Sequence, residues 1–435
     1  MCRCTKTGGI GLVNLEQVLN LLRRRAEDAS ASYRQRVDAI SLHNHHKVLE
    51  AFRKMRVSEH HFKGGTGYGY GDYGKDTLDQ LFARVFGTED ALVRPHIVSG
   101  THAITLCLFG TLRPGNELLS ATGTPYDTLQ KVIGFPHRTL NSLVEWGVTY
   151  RQVELTSEGY LDLQGVVEAV SPRTRMVLIQ RSRGYQWRPS IPVASIQELV
   201  GAIKAKHPHV VCFVDNCYGE LVEEREPTEV GVDLMAGSLI KNPGGGIVPA
   251  GGYVVGKTKY VNMAAARLFA PGLGTAVGAW PEGYRQIFQG LFLAPHVVGE
   301  ALKGAIWTSA FLTSLGFEVS PKPWEPRTDI IQAVRLETPE RLVAFCRGLQ
   351  QGSPVDSHIL PEPSGMPGYA DQVVMAGGTF IQGSSIELSA DGPVRPPYAV
   401  YIQGGLSQEY VKLGVMHAVR YLIEQGELQF PDLSI

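Results

Sequence analysis

The chain has 435 residues, 43% hydrophobic and 19% charged, which is enough for one large globular domain and a smaller second one. Its 41 lysines and arginines almost balance its 42 aspartates and glutamates, so no net charge favours a nucleic acid or a membrane as a partner. The six cysteines are too scattered for a disulfide or zinc framework, and no apolar stretch suits a membrane span or a secretory signal; we therefore expect a cytoplasmic protein.

The N-terminal part of the chain is rich in charge. Residues 12–57 show helical periodicity without turn residues, which predicts an N-terminal helical arm within residues 1–65. A glycine-dense loop follows at residues 64–74. After it, apolar residues recur with the spacing of one helix face, at Leu78, Leu81, Phe82 and Val85.

From about residue 90 onward, short apolar runs alternate with amphipathic helices. The runs Met176–Ile179 and Val210–Val214 predict buried strands, and Ser195 with Glu198 predicts a capping box at the start of the helix between them. Strands that are apolar throughout, rather than alternating, are typical of a parallel sheet covered on both faces. The fold class is therefore α/β with a mostly parallel sheet.

The sequence pattern changes near residue 310, where prolines begin to cluster between short apolar runs such as Ile330–Leu336 and Tyr398–Ile402. This pattern predicts a smaller C-terminal α+β domain over residues 311–435, after a large domain over residues 66–310.

Two residues at strand ends point to a cofactor. Asp215 directly follows the apolar run that ends at Val214, and Lys241 lies in a Ser-Leu-Ile-Lys segment that begins at Ser238 and precedes glycines. A carboxylate in that position must be paired, and a desolvated lysine with a lowered pKa is an amine nucleophile. Many pyridoxal 5'-phosphate (PLP) enzymes use this arrangement: the carboxylate pairs with the pyridine nitrogen, the lysine bonds covalently to the aldehyde and the serine reaches the phosphate.

A second segment suits the phosphate of such a cofactor. Ser99, Gly100 and Thr101 follow an apolar pair and open a predicted helix, whose first N–H groups bind phosphate well. The alternative is an ordinary helix N-cap. Tyr126, after the strand-like run 117–121, is placed to stack on a planar cofactor, and its alternative is a half-buried core tyrosine.

Arg395 lies in a proline-rich loop and is a candidate for binding a substrate α-carboxylate, because guanidinium matches carboxylate with two hydrogen bonds. The alternative is a loop arginine paired with Asp391.

The string Gly251–Thr258 fits a phosphate-binding loop, but its Tyr-Val-Val centre is strand-like and we reject it. No histidine or cysteine cluster predicts a metal site.

Taken together, these residues resemble the PLP-dependent enzymes of fold type I and, among them, the methionine gamma-lyase / aluminium resistance protein family, relatives of the cystathionine beta-lyases. The resemblance runs from about Val57 to the C-terminus. It implies Lys241 as the cofactor lysine, Asp215 at the pyridine nitrogen and Tyr126 over the ring. It also implies that the phosphate is bound by Gly100, Thr101 and Ser238. Its most specific stretches are residues 67–72, 99–103, 180–185, 214–220, 238–246 and 401–405.

In the related lyases a tyrosine of the glycine-rich loop reaches the neighbouring subunit's cofactor. The resemblance therefore implies that Tyr68 or Tyr70 takes this place, and that the protein is a homodimer or homotetramer with active sites at subunit interfaces. The chain departs from the better-known cystathionine enzymes around the lysine. They carry Ser-x-Thr-Lys followed by Gly-His, whereas this chain has Ile240 before the lysine and Asn-Pro-Gly-Gly-Gly after it.

These features predict a PLP-dependent carbon–sulfur lyase that acts on a sulfur-containing amino acid such as methionine, cystathionine or cysteine, by β- or γ-elimination. An aminotransferase or aldolase on the same fold would share every cofactor residue. A non-catalytic, PLP-binding regulatory protein is the alternative from another class.

Overall fold

The computed structural model describes residues 12–429, so Cys2 and Cys4 lie outside the described residues. The helices are α1 Leu12–Lys54, α2 Tyr73–Val85, α3 Gly100–Thr111, α4 Asp127–Ile133, α5 Leu163–Ala169, α6 Val193–Lys206, α7 Thr258–Leu268, α8 Arg285–Ser314, α9 Pro339–Gln351 and α10 Gln408–Glu424. The strands are β1 Asp90–Arg94, β2 Glu117–Ser120, β3 Thr149–Gln152, β4 Thr174–Gln180, β5 Val211–Asp215, β6 Leu234–Ser238, β7 Gly252–Gly256, β8 Val319–Ser320, β9 Ile331–Arg335, β10 Val373–Ala376, β11 Ser389–Pro393 and β12 Ala399–Gln403.

The larger sheet has seven strands in the order β1-β7-β6-β5-β4-β2-β3. Strand β7 runs antiparallel to both of its neighbours, and strands β2 to β6 are parallel to one another. Helices cover the sheet, and strands β4 to β7 are buried and largely apolar, as the continuous hydrophobic runs require, whereas the edge strand β3 is partly exposed and polar. The predicted α/β class with a mostly parallel sheet is therefore confirmed.

The register of the central strands sets where polar side chains meet. Gln180 at the end of β4 is paired with Asp215 at the end of β5, and Asp215 is paired with Ala236 of β6. Because β4, β5 and β6 are parallel, their carboxyl ends lie at one edge of the sheet, where ligands of such sheets collect.

The smaller sheet has five antiparallel strands in the order β10-β11-β12-β9-β8. Helices α9 and α10 pack on it, with Phe345 and Val419 in a core shared with Val400 and Ile402 of β12. A smaller α+β unit after the large sheet is thus confirmed as a feature of the fold.

Helices α1 and α8 join the two cores. Leu22 of α1 and Trp307 of α8 lie in the core of the smaller sheet, whereas Val48 and Phe288, further along α1 and earlier in α8, lie in the core of the larger one. The boundary between residues 310 and 311 falls inside α8. The division into residues 1–65, 66–310 and 311–435 therefore stays a proposal.

Most predicted elements are present, but one predicted helix start is wrong. Helix α6 begins at Val193 after Pro192, without a side-chain cap, and so it starts before the expected box at Ser195. Proline has the fixed φ that suits the start of a helix, and it ends the preceding extended segment. The string Gly251–Thr258 contains strand β7, which agrees with its rejection as a phosphate loop.

Two further observations concern membrane-spanning helices and metal sites. Within residues 12–429, no helix combines the length and the apolar character that crossing a membrane requires. Over the same residues, no three histidine, cysteine, aspartate or glutamate side chains are grouped so that they could hold a metal ion.

Candidate active site

A cavity of about 320 Å³, called here the lysine cavity, opens at the carboxyl edge of the larger sheet. It collects side chains from the ends of β4, β5 and β6, from the start of α3 and from the smaller sheet. The sequence-predicted residues that line it are Ser99, Gly100, Thr101, Tyr126, Asp215, Ser238 and Lys241.

Asp215 is the last residue of β5 and is buried. Its Oδ1 accepts a hydrogen bond of 3.1 Å from the backbone N–H of Cys217. Burial raises the pKa of Asp215 to about 6, although Cys217 and the charge of Lys241 act in the opposite direction. A carboxylate held in this way gains from a cationic partner, and a protonated ring nitrogen would be one.

Lys241 follows β6 by a short turn, and its Nζ donates to Ser385 Oγ at 3.3 Å. The Nζ also lies 3.5 Å from the centre of the Tyr218 ring. Burial acts to lower the pKa of Lys241, but Tyr218, Cys217 and Glu220 outweigh burial and raise it above its ordinary value. The lowered pKa predicted from the sequence is therefore not found in this arrangement, because desolvation is the largest single effect but the opposing groups together exceed it.

Tyr218 owes its position to an unusual backbone. Its φ of 74° lies in the left-handed region, which a tyrosine rarely adopts. Its carbonyl oxygen accepts a hydrogen bond of 3.3 Å from Ile330 N–H, just before β9. Unusual backbone conformations of this kind are concentrated at functional sites. Here the conformation of Tyr218 places its aromatic ring against the lysine amine.

The start of α3 provides anion-binding groups. Ser99 caps the helix by accepting a hydrogen bond of 3.0 Å from His102 N–H. The first N–H groups of a helix have no acceptor inside the helix, so those of Gly100 and Thr101 remain available to an anion. A Cβ at Gly100 would lie 3.1 Å from Cys217 Sγ and 3.4 Å from Ser238 Cβ, so glycine keeps this part of the cavity open.

Tyr126 is half-buried at the start of α4. Its backbone N–H donates to Gln180 Oε1 at 2.9 Å, and its hydroxyl lies 3.1 Å from Thr101 Oγ1. Burial raises the pKa of Tyr126 well above its ordinary value, and the nearby Asp215 adds to this effect. The ring therefore stays neutral, and it is held beside both the sheet edge and the start of α3.

Arg395 is not among the residues that line the lysine cavity. Its Nη1 lies 2.6 Å from Asp371 Oδ2, and both side chains are about two-fifths exposed, at 40% and 38%. It lines a smaller neighbouring cavity together with Arg183. This arrangement favours the loop ion pair over the substrate-binding role, with Asp371 and not Asp391 as the partner, because Arg395 lies beyond the end of β11.

Tyr68 and Tyr70 also lie away from the lysine cavity of their own chain. Their side chains are 72% and 65% exposed, and their rings stack with centroids 5.5 Å apart. A role at the cofactor would therefore require a second copy of the chain.

The sequence reasoning missed most of the side of the lysine cavity opposite the sheet edge. Tyr185 comes from the segment after β4, and Tyr369 lies shortly before β10, whereas Asp391, Tyr401 and Gln403 come from β11 and β12. A local signal existed for Asp391, because it is a single acid in a short, otherwise uncharged segment. The sequence analysis considered Asp391 only as a possible ion-pair partner of Arg395, four residues further on.

The functional groups that line the lysine cavity match those that bind PLP. It places a buried carboxylate, an amine and a helix start with free N–H groups around one space. Among the described residues that line it, Lys241 is the only lysine, arginine or histidine. Together with a mostly parallel sheet and a smaller closing unit, these features define a PLP-dependent enzyme of fold type I.

Comparison with known proteins gives the family. The family model described as methionine gamma-lyase matches residues 19–423. The chain belongs to the methionine gamma-lyase family, and it is a PLP-dependent carbon–sulfur lyase.

Relatives of similar length support this membership. The uncharacterized protein YnbB of Bacillus subtilis (strain 168) is 49% identical over 409 residues, which cover 93% of this chain and 97% of YnbB. A solved structure of a candidate cystathionine beta-lyase involved in aluminum resistance, from Listeria monocytogenes, has 48% identity and a TM-score of 0.90, with 92% of this chain and 99% of that chain covered. A carbon–sulfur lyase involved in aluminum resistance, from Clostridium novyi NT, has 45% identity and a TM-score of 0.89, with 94% and 99% covered.

Proposed function

We propose that this lyase eliminates a thiol from a sulfur-containing amino acid of the methionine, cystathionine or cysteine type. The observation that supports the proposal is that Lys241, Asp215 and the first residues of α3 line a single cavity. This combination serves one amine nucleophile, one ring nitrogen and one phosphate group.

Each residue has a proposed task. Lys241 would hold the cofactor covalently, and its Nζ would move the Cα proton of the substrate. Asp215 keeps a proton on the pyridine nitrogen, and Tyr126 packs against the ring. When bound, PLP supplies an electron sink for the negative charge that develops at the substrate Cα. The phosphate is bound by Ser99, Gly100, Thr101 and Ser238.

The test is a product assay on the purified protein saturated with PLP. L-Methionine, L-cystathionine and L-cysteine are supplied in turn, and the released thiol (hydrogen sulfide in the case of cysteine) and the 2-oxo acid are measured in samples taken at the same times. Release of both in equal amounts is the expected result. From cystathionine, pyruvate with homocysteine would indicate β-elimination, whereas 2-oxobutyrate with cysteine would indicate γ-elimination. Transfer of the amino group to an added 2-oxo acid, without thiol release, would contradict the proposal.

A matched pair of lysine variants controls for nonspecific effects. Lys241→Ala removes the proposed base and is expected to lower the rate by roughly 10²- to 10⁴-fold. Lys206→Ala removes an exposed lysine of α6 and should leave the rate unchanged. Equal rates in the two variants would mean that Lys241 has no catalytic role.

We propose further that the site is completed by a second copy of the chain, through Tyr68 or Tyr70 in a homodimer or homotetramer. A cytoplasmic location remains part of the proposal. The exposed, stacked tyrosine rings support the oligomer, because two large aromatic side chains in water suit an interface. Sedimentation of the purified protein tests the assembly. Mixing Lys241→Ala with a Tyr68→Ala/Tyr70→Ala double variant should restore part of the activity if the tyrosines act across subunits.

A further inference from the structure

A second cavity of about 490 Å³ adjoins the lysine cavity and is called here the distal cavity. The two share six lining residues, which are Tyr185, Tyr218, Tyr369, Gly383, Asp391 and Gln403. A substrate whose α-carbon lies at Lys241 can therefore extend its side chain into the distal cavity, past these shared residues.

The shared region is built around one carboxylate. Asp391 lies in β11 and is 7% exposed. Its Oδ2 accepts a hydrogen bond of 3.0 Å from Gln403 Nε2. Its Oδ1 is buried and, within the described part of the chain, has no hydrogen-bond partner. A buried acceptor without a partner is costly, so this oxygen is suited to a donor that a ligand brings.

Aromatic rings surround this carboxylate. The ring of Tyr185 packs against two other tyrosine rings. Its centroid lies 5.8 Å from that of Tyr369 and 5.4 Å from that of Tyr401. Tyr218, whose ring centre lies 3.5 Å from the Lys241 amine, lines both cavities as well. Faces of aromatic rings attract cations, and aromatic cages are a known means of binding ammonium groups.

The surrounding charge favours a cation as well. Besides Asp391, the distal cavity is lined by Asp356 and Glu362. Among the described residues that line it, none is a lysine, arginine or histidine. Burial raises the pKa of Asp391 to about 7, and the nearby Tyr185 hydroxyl, the charge of Lys241 and the hydrogen bond from Gln403 offset only part of this effect. A cationic ligand group would supply the missing partner.

We propose that Asp391 and the tyrosines around it form a subsite for an ammonium group at the far end of the substrate, so that the preferred leaving thiol carries a positive charge. This inference rests on the proposed lyase function and deepens it. An ammonium fits better than a sulfonium, because only the ammonium has N–H groups to donate to the free Oδ1. Asp391 is thus a specificity residue, and it takes no part in the bond-breaking step.

A matched pair of substrates tests the subsite. S-(2-aminoethyl)-L-cysteine and S-propyl-L-cysteine have side chains of nearly equal length and shape, but only the first ends in an ammonium. With water, β-elimination converts them to pyruvate, ammonia and either cysteamine or propane-1-thiol. We expect kcat/KM of the PLP-saturated enzyme to be at least about tenfold higher for the aminoethyl compound, with most of the difference in KM. Equal values for the two compounds would overturn the subsite.

Two variants then assign the preference to a residue. In Asp391→Asn the ratio of the two kcat/KM values should fall about tenfold, because the amide keeps the shape of the carboxyl but loses its charge. In Asp371→Asn, which removes a carboxylate that lines neither cavity, the ratio should stay as in the wild type. A loss of kcat in Asp391→Asn by the same factor for both compounds would show an acid–base or structural role and would contradict the proposal.

A binding measurement separates failure of the subsite from failure of the lyase proposal. Reduction with borohydride fixes PLP to the lysine and stops turnover. Isothermal titration of this reduced protein should show tighter binding of the aminoethyl compound than of the propyl compound. If neither compound is cleaved but this preference is present, the lyase proposal is wrong and the ammonium subsite stands. If both are cleaved without any preference in rate or binding, only the subsite is wrong.

Discussion

The charge of Asp391 should make the stability of the PLP-free protein depend on pH in a way that one substitution removes. The pKa of this carboxyl is raised by burial from 3.8 to about 7. Between these two values the folded protein keeps a proton that the unfolded chain has released. The free energy of unfolding therefore falls as the pH rises through this window, because ionisation of a buried carboxyl is unfavourable.

The size of the effect follows from the two pKa values. One pKa unit corresponds to about 1.36 kcal/mol, and linkage then gives a loss of roughly 2 to 3 kcal/mol between pH 5 and pH 8. Asp391→Asn abolishes this single titration. The difference in unfolding free energy, variant minus wild type, should therefore rise by roughly 2 to 3 kcal/mol over the same interval.

Urea unfolding of the PLP-free proteins at pH 5 and pH 8 measures this difference. Contributions from Asp215 and Glu220, which also titrate at raised pKa values of about 6 and about 8, are present in both proteins and cancel to first order. Tyr185 and Tyr218, which face Asp391, have pKa values raised above their ordinary range and stay neutral over this interval. Parallel pH profiles for the two proteins would refute the reasoning, since they would show that Asp391 is solvated or paired.

Three further substitutions test other parts of the site. Gly100→Ala brings a Cβ to 3.1 Å from Cys217 Sγ, and it should raise the Kd for PLP about tenfold in a fluorescence titration; an unchanged Kd would mean that this space is not used. Asp215→Asn should lower kcat roughly 100-fold or more at saturating PLP, and a kcat within threefold of the wild type would argue against pairing with the ring nitrogen. Arg395→Ala breaks a half-exposed ion pair and should change KM by about twofold at most, whereas a tenfold rise at constant kcat would restore its proposed role at the substrate carboxylate.

The half of the site that belongs to the larger sheet could be predicted from the sequence. Asp215 and Ser238 each end an apolar strand, and in a parallel sheet the carboxyl ends of neighbouring strands meet at one edge. Lys241 follows Ser238 by a short turn, so its approach to the same edge follows from chain distance alone. The sequence is sufficient to place these residues together, because strands β4, β5 and β6 follow one another in the chain and are also neighbours in the sheet.

The other half depends on contacts between distant segments. Asp391 and Tyr401 belong to the antiparallel sheet, and they reach the lysine cavity only because that sheet packs against the carboxyl edge of the larger one. Neither a periodicity nor a motif shows how two sheets pack together. Arg395 illustrates the same limit, since two residues beyond β11 suffice to carry it away from the cavity that Asp391 lines.

The charges of the lysine cavity link the cofactor to the choice of substrate. Asp215 and Asp391 are both buried carboxyls with raised pKa values, and Lys241 is the one basic side chain among the described lining residues. An amine engaged in holding the cofactor can no longer neutralise both carboxylates. A proton on the ring nitrogen balances Asp215, which leaves Asp391 to be balanced by the substrate. With a neutral side chain such as that of methionine, Asp391 would have to keep its proton, whereas a thiol that carries an ammonium would pair with its charged form.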